Sequence, residues 1–440
     1  MSESFDILVV GAGPAGIAAA VAASAAGKRV GLVDDNPAPG GQIWRRGGSQ
    51  PAVAHNWLTK LEATPLVRLY GWRVFDFPRP GTLRAESNSD CRDLCFEKLI
   101  LATGARERFL PFPGWTLPNV MGAGGLEALV RGGLPINRKR VLVAGTGPLL
   151  VAVAAHLARH GAVIVALCEQ APLRRFIPFA ASLLSEPAKL LQGIEYAMAT
   201  LGTSFYTDCW PIAAIGTDKL ESVRLQRKGK QWEVHCDYLA CGYHLVPNLE
   251  LPALIGCRIE DGFVMTDELQ RTSAPDVFCA GEPTGIGGVE LALLEGQIAG
   301  LAAAGETEKA GQLARRRSSR LGFVRALQAA TRLDERLKGL ATDTTLVCRC
   351  EDVPFEALRE HTSWREAKLQ TRCGMGPCQG RICGVATEFL FGWGPALPST
   401  IRPPVFPARV SSLGIPGDGD CAGESITAAA ISADVQKEPL

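Results

Sequence analysis

Two stretches of the chain repeat one order of apolar and small residues. Phe5–Val10 is an apolar run of β type, broken at once by Gly11-Ala12-Gly13-Pro14-Ala15-Gly16. The alanine-rich stretch Ile17–Ala26 then has the composition of a closely packed helix. Gly27 ends it, and Arg29–Val33 is a second apolar run that finishes on Asp34. The pattern predicts strand, turn, helix, strand: a βαβ unit. In such a unit the first glycine makes the tight turn, the second lets the backbone approach a pyrophosphate, and the third lets helix and strand close up. The unpaired N–H groups of the helix N-terminus face the phosphates. An acid at the end of the second strand is placed to accept ribose hydroxyls. Gly11, Gly13, Pro14, Ala15 and Gly16, with Asp34 and the adjoining Asp35, form the first candidate cradle.

The second copy runs Arg140–Ala144, then Gly145-Thr146-Gly147-Pro148-Leu149-Leu150, Val151–His160, and Val163–Cys168 ending on Glu169. Leu150 stands where the third glycine would be. A carboxylate at Glu169 favours an unmodified ribose and repels a 2′-phosphate. Gly145, Gly147 and Glu169 are therefore the expected site for NAD or another adenine nucleotide, set against a retained fold with an empty site. Two more apolar runs have glycine exits: Lys98–Thr103, containing Ala102, into Gly104, and Asp276–Ala280 into Gly281-Glu282. Gly287-Gly288-Val289 opens a helix whose first N–H groups can meet a polar ligand edge. Residues 305–338 read as an amphipathic, Arg-rich helix with a solvated face. After Pro395 the chain turns rich in Pro, Ser and Gly, and its last stretch, from Gly414 onward, reads as a mobile tail or a strap laid on a partner.

Composition narrows the classes. With 440 residues, about three units of ordinary size are expected. The 46 basic and 45 acidic residues leave a net charge of +1, against a nucleic-acid binder. There is no basic leader with a cleavage site and no uncharged apolar run of about 18 residues, so no transmembrane segment and a cytoplasmic protein are expected. Five of the 14 cysteines fall between 348 and 383: Val347-Cys348-Arg-Cys350-Glu351-Asp352, then Thr371-Arg-Cys373-Gly-Met-Gly-Pro-Cys378-Gln-Gly-Arg-Ile-Cys383-Gly384. Four thiolates suit zinc or an iron–sulfur cluster. The spacing departs from paired zinc knuckles, which favours [2Fe–2S], with zinc and free thiols as the other readings. No C-x-x-C occurs anywhere, which counts against a disulfide reductase.

The N-terminal motif with its VDDNPAPGGQIWR continuation, the LILATGARER exit and TSAPDVFCAGEPTGIGGVELALLEGQ resemble flavoproteins of the disulfide-reductase type. Together with VCRCEDV…TRCGMGPCQGRICG, the sequence is similar to the α-type FAD/[2Fe–2S] subunits of opine oxidases, D-hydroxyproline and proline dehydrogenase complexes, and hydrogen cyanide synthase. The resemblance covers about residues 4–410. It implies that Gly11, Gly13, Gly16 and Asp34 hold the adenosine diphosphate half of FAD. Gly41 and Gln42 would cover its far side, Thr103-Gly104 would close over the pyrophosphate, and Gly281-Glu282 would meet the ribityl chain. Glu282 stands where many relatives have Asp. For the cluster it implies Cys348, Cys350, Cys378 and Cys383, with Cys373 as a spare.

The implied fold is α/β, with two Rossmann-like domains and a small helical Cys-rich module. The FAD domain would be residues 1–115 and 262–340, the nucleotide-type insert 116–261, the cluster module 341–395 and the tail 396–440. The implied function is electron transfer within a heteromeric dehydrogenase that oxidises the C–N bond of a small amino acid or opine. A flavoprotein β subunit would supply the electrons. Further expectations are an FMN at the interface and a small ferredoxin-like γ subunit. Through its electron acceptor the complex would sit peripheral to the inner membrane. A self-contained NADH-dependent flavoprotein is the alternative.

Overall fold

A computed structural model describes residues 2–44, 51–183, 187–393 and 401–414. The first βαβ unit forms as the pattern predicts: strand Ser2–Val10, helix Pro14–Ala25, strand Val30–Asp34. Five parallel strands lie in the order Val67–Tyr70, Val30–Asp34, Ser2–Val10, Cys91–Leu101, Val277–Cys279. An antiparallel pair, Arg73–Arg79 and Thr82–Glu86, extends the sheet beside the N-terminal half of Cys91–Leu101. All five residues of Val30–Asp34 are buried, as expected of a parallel strand covered on both faces.

The helices covering one face explain the alanine richness. Helix Val289–Ala303 packs against Pro14–Ala25, and a Cβ at Gly296 or Gly300 would come within 2.1 or 2.3 Å of the carbonyl oxygens of Ala15 and Ala19. Both helices are apolar nearly all round because both are enclosed.

The second copy builds a parallel sheet in the order Ser204–Thr207, Val163–Glu169, Arg140–Thr146, Tyr238–Tyr243, Val120–Gly122. A three-stranded antiparallel sheet, Cys209–Ile215, Ser222–Arg227 and Lys230–His235, lies against it. Leu150 is accommodated because Gly242 on the neighbouring strand offers space, where a Cβ would meet Leu150 Cδ2 at 3.2 Å.

The chain crosses between the two sheets twice, and the crossings pair as an antiparallel ribbon, Ala105–Glu107 with Leu245–Pro247. The cores follow this ribbon rather than the expected limits at 115 and 261. Leu110, Phe112 and Trp115 belong to the second core, while Leu249, Leu251, Cys257 and Val264 belong to the first. The segment after helix Thr307–Thr331 also departs from expectation. Leu333, Leu337 and Leu340 are buried in the second core, so 332–340 packs with the second glycine unit.

The cysteine-rich module consists of a hairpin, Leu346–Cys348 with Val353–Pro354, and helices Glu356–Arg359, Trp364–Thr371 and Cys383–Phe391. Ser363 caps the second helix by accepting from Glu366 N, and Glu366 accepts from Thr362 N. The expected tail is partly a packed strap: residues 401–414 lie on the first domain, and Val405 is buried. From Ile415 onward the tail lies outside the described residues. Among the described residues, no helix is long and apolar enough to cross a membrane.

Candidate functional site

A cavity of about 1890 Å³ runs from the first glycine turn, between the two domains, to the loops of the cysteine module. Gly11, Gly13, Pro14, Ala15, Asp34, Asp35, Gly41, Gln42, Ala102, Thr103, Gly104, Gly281, Glu282 and Gly288 line it. Sequence positions scattered over almost 280 residues thus converge on one groove.

The glycines divide the work. A Cβ on Gly16 would lie 1.7 Å from the Gly11 carbonyl oxygen, so its absence is what lets helix and strand touch. A Cβ on Gly13 would meet nothing nearer than Gly41 Cα at 3.9 Å. Gly13 leaves room for a ligand rather than for the protein.

Asp34 sits at the end of its strand with its carboxylate heavily used. One oxygen accepts from Ala12 N at 2.5 Å, and the other accepts from Asn36 N and Nδ2, both at 2.7 Å. Burial pushes its pKa up and these bonds pull against that. Of about four lone-pair positions, three are taken, leaving one for a ribose hydroxyl.

The Gly281-Glu282 turn has a support that the sequence reading missed. Glu295, 1% exposed, accepts from Gly281 N at 3.0 Å and Thr284 Oγ1 at 2.9 Å, while Arg317 Nε donates to its other oxygen at 2.7 Å. The available signal was an acid in the middle of the apolar run 289–303, apart from Glu290 at its start, and an arginine on the following helix. Glu282 itself has a buried oxygen without a hydrogen-bond partner, and burial raises its pKa to about 7. The folded value lies above the ordinary 4.5, so the fold disfavours the charged form. That cost is absent well below pH 4.5, grows as pH rises through about 7, and reaches roughly 3 kcal/mol. Glu282→Gln should therefore raise the melting temperature of the flavin-free protein at about pH 8, with most of the gain gone at about pH 5. An equal gain at both would show that ionisation is not the cause.

The second glycine turn meets the cavity only in part. Gly147 lines the cavity, but Gly145 and Glu169 do not. Glu169 is 4% exposed. Its carboxylate accepts from Thr146 Oγ1 at 2.6 Å, Gly147 N at 2.7 Å and Ala171 N at 2.8 Å. Next to it lies the chain after the long helix. Thr331 O accepts from Thr146 Oγ1 and His244 Nε2, Arg332 O accepts from Gln170 Nε2, and Asp334 N donates to Gln170 Oε1. Like Asp34, Glu169 has three hydrogen-bond partners; unlike Asp34 it does not line the cavity, and segment 331–334 lies against its turn.

A polar chain joins the glycine-lined groove to the cysteine loops. Thr103 and Asn248 exchange two hydrogen bonds of 2.8 Å. Arg106 donates to Asn248 Oδ1 at 2.7 Å, pairs with Glu250 at 3.0 Å, and donates to the carbonyl of Arg381 at 3.1 Å. Arg381 lies between Cys378 and Cys383, and Arg349 between Cys348 and Cys350. Both side chains line the cavity.

The five thiols gather beyond them. Cys348, Cys373 and Cys383 have sulfurs all within 4.8 Å of one another. Cys383 is the hub, in contact with Cys348, Cys373 and Cys378, while Cys350 meets Cys378. The C-x-C pair is thus divided: Cys348 faces Cys383 and Cys350 faces Cys378. Cys373, expected as a spare, stands inside the group. The Cys383 thiol favours the thiolate form of its neighbours, lowering Cys378 to about 4 and Cys348 to about 5. Backbone N–H groups of Gly374, Glu351 and Cys350 point at Cys348, and those of Ile382 and Gly380 at Cys378. Clustered thiols, two of them with N–H donors that favour the thiolate, fit an iron–sulfur cluster.

The family pattern described as pyridine nucleotide-disulphide oxidoreductase matches residues 5–300. The opine oxidase A subunit of Rhizobium meliloti is 30% identical, over 93% of this chain and 98% of the relative. The HcnB subunit of hydrogen cyanide synthase from Pseudomonas aeruginosa is also 30% identical, over 86% of this chain and 90% of the relative. Among solved structures, L-proline dehydrogenase from P. horikoshii superposes with a TM-score of 0.66 at 17% identity, covering 94% of this chain and 80% of that one. Thioredoxin reductase from T. acidophilum superposes at 0.55 and 18% identity, covering 69% of this chain and 99% of that one. These two structural similarities establish the fold.

Proposed function

The chain belongs to the pyridine nucleotide-disulphide oxidoreductase family, a family of FAD-binding oxidoreductases, and from that premise we propose that it is the electron-transfer subunit of a heteromeric dehydrogenase. Its partner would be a flavoprotein β subunit that oxidises the C–N bond of a small amino acid or opine, such as proline, hydroxyproline or glycine. The observation that carries this reading is the continuity of one cavity from the FAD cradle to Arg349 and Arg381 on the cysteine loops. No cysteine lines that cavity among the described residues, so a dithiol beside the flavin, which disulfide reduction needs, has no candidate. When bound, FAD would accept electron pairs and a [2Fe–2S] cluster would pass them on singly. The protein's part is to hold the two apart at a fixed spacing, through Thr103, Asn248, Arg106 and the carbonyl of Arg381.

The alternative, a self-contained NADH reductase, needs the second turn to hold a dinucleotide. Glu169 lies off the cavity, which speaks against it, although Gly147 still faces the cavity.

A surface suits the partner. Helix Pro187–Ala199 has an inner side, with Lys189, Gly193 and Tyr196 lining the cavity. On its outer side Leu191, Ile194 and Met198, followed by Leu201, are between 53% and 72% exposed. Their spacing of three, four and three residues makes one apolar stripe, directly behind the cavity wall. Named relatives are subunits, and such a stripe marks an interface. Co-purification from the producing cells should therefore yield a flavin-carrying protein that by itself reduces a dye with an amino acid as donor. Leu191→Glu with Met198→Glu should lower its recovery at least about tenfold while leaving the FAD and iron of this chain unchanged. A lone chain that oxidises NADH would refute the reading.

A further inference from the structure

The strap 401–414 returns from the cysteine module across the first domain, and it is fixed at several points. Val405 N donates to Phe75 O at 2.8 Å, extending the contacts of strand Arg73–Arg79. Arg409 reaches Glu86 at 3.4 Å and donates to the carbonyls of Asn88 and Asp90, both at 2.8 Å. Between these anchors Phe406 lines the cavity.

Two guanidinium groups lie over the Phe406 ring: Arg381 at 4.1 Å and Arg73 at 5.5 Å from its centroid. Arg381 Nη2 also donates to Val405 O at 2.5 Å. Arg73 pairs with Asp35 at 3.6 Å, next to the Asp34 ribose corner, and the neighbouring Trp72 N donates to Asp34 O at 3.0 Å. Phe406 therefore stands at the adenosine end of the cradle, not at the Gly281-Glu282 end. An aromatic edge flanked by two cations offers apolar contact to a base and attraction to a diphosphate.

We propose that Phe406 is a contact residue for the adenosine half of FAD, held in place by Arg73 and Arg381, so that the strap and the cysteine loop retain the cofactor. The proposal rests on the FAD reading above. It makes flavin retention depend on a residue far along the chain from the glycine turn, and on the loop that carries Cys378 and Cys383.

The test is the rate at which FAD leaves the holoprotein after dilution, followed by the rise of free-flavin fluorescence. Iron content and thermal unfolding are measured on the same samples. Phe406→Ala should release FAD at least about tenfold faster, the change that about 1.4 kcal/mol of lost contact produces. Phe406→Leu and Arg381→Lys should fall between that variant and the native chain, with iron content kept. Release at the native rate from Phe406→Ala overturns the proposal. Should that variant fail to fold, native-rate release from both Phe406→Leu and Arg381→Lys overturns it equally. A native chain purified with iron but unable to hold FAD would instead overturn the FAD reading, and the strap proposal with it.

Discussion

Gly13→Val is expected to fold normally and to purify without FAD. The first half of that result follows from packing. A Cβ at this position has 3.9 Å to its nearest neighbour, Gly41 Cα, and φ is −76°, a value open to any residue. The added Cβ itself meets no close contact in the protein. The second half follows from the cradle. Position 13 precedes helix Pro14–Ala25, whose first residues Pro14 and Ala15 line the cavity and whose opening N–H groups have no partner within the helix. A branched side chain there stands where a diphosphate would approach those donors. A loss of affinity of at least about 100-fold, or close to ~3 kcal/mol, should leave most of the chains without flavin. Flavin absorbance per chain, beside a native-like circular dichroism spectrum, gives the answer. Full flavin occupancy would remove the glycine turn from the site. Gly16→Val is the contrasting control: its Cβ would overlap the Gly11 carbonyl, so that variant should fail in folding itself.

Cys383→Ala should abolish iron binding while leaving FAD in place. Cys383 touches three of the other four thiols, so every set of four that the geometry permits around it depends on this sulfur. It also starts helix Cys383–Phe391 and is 1% exposed, which leaves water no way to stand in for the lost ligand. Iron per chain and the paramagnetic signal of the reduced protein should both fall to background. The comparison of Cys350→Ala with Cys373→Ala then settles the fourth place. Resemblance assigns it to Cys350, so Cys373→Ala should keep the signal and Cys350→Ala should lose it. The reverse result would give the place to Cys373, in line with its sulfur lying within 4.8 Å of Cys348 and Cys383.

What could be read from the sequence was what neighbouring residues decide together. The two strand–turn–helix–strand units, the acid at each strand end, and the division of labour between Gly13 and Gly16 all depend on contacts close along the chain. What escaped that reading depends on distant partners. Glu169 has the same place in its unit as Asp34, and nothing local distinguishes them. The difference is the segment 331–334, laid against the turn from far along the chain. The crossing points at 105–107 and 245–247 were equally invisible, because the ribbon they form joins residues distant in sequence. Glu295 could be suspected as a charge in an apolar run, but only Arg317 and the Gly281 amide give it a role. The cysteines were legible as a group and not as pairs. Cys348 and Cys350 are separated by a single residue, yet the hairpin turn carries them to different neighbours. Phe406 was hidden in a stretch whose composition suggested no structure.

The ribbon Ala105–Glu107 with Leu245–Pro247 would by itself be a pivot, since two short strands resist twisting weakly. The linker after Thr331 removes that freedom. It starts on a helix that packs on the first domain, buries Leu333, Leu337 and Leu340 in the second, and ends in the cysteine module, where Leu346 O accepts from Trp115 Nε1 at 2.6 Å. The strap then ties that module back to the first domain through Arg409 and Glu86. The three bodies are thus closed into a loop of attachments, each fixed to the other two. A swing of one domain about the ribbon would have to break buried contacts elsewhere in the loop. Such a frame holds the spacing between the glycine-lined groove and the thiols constant, so in the proposed electron transfer the tunnelling distance would be set by the fold and not by the timing of a motion.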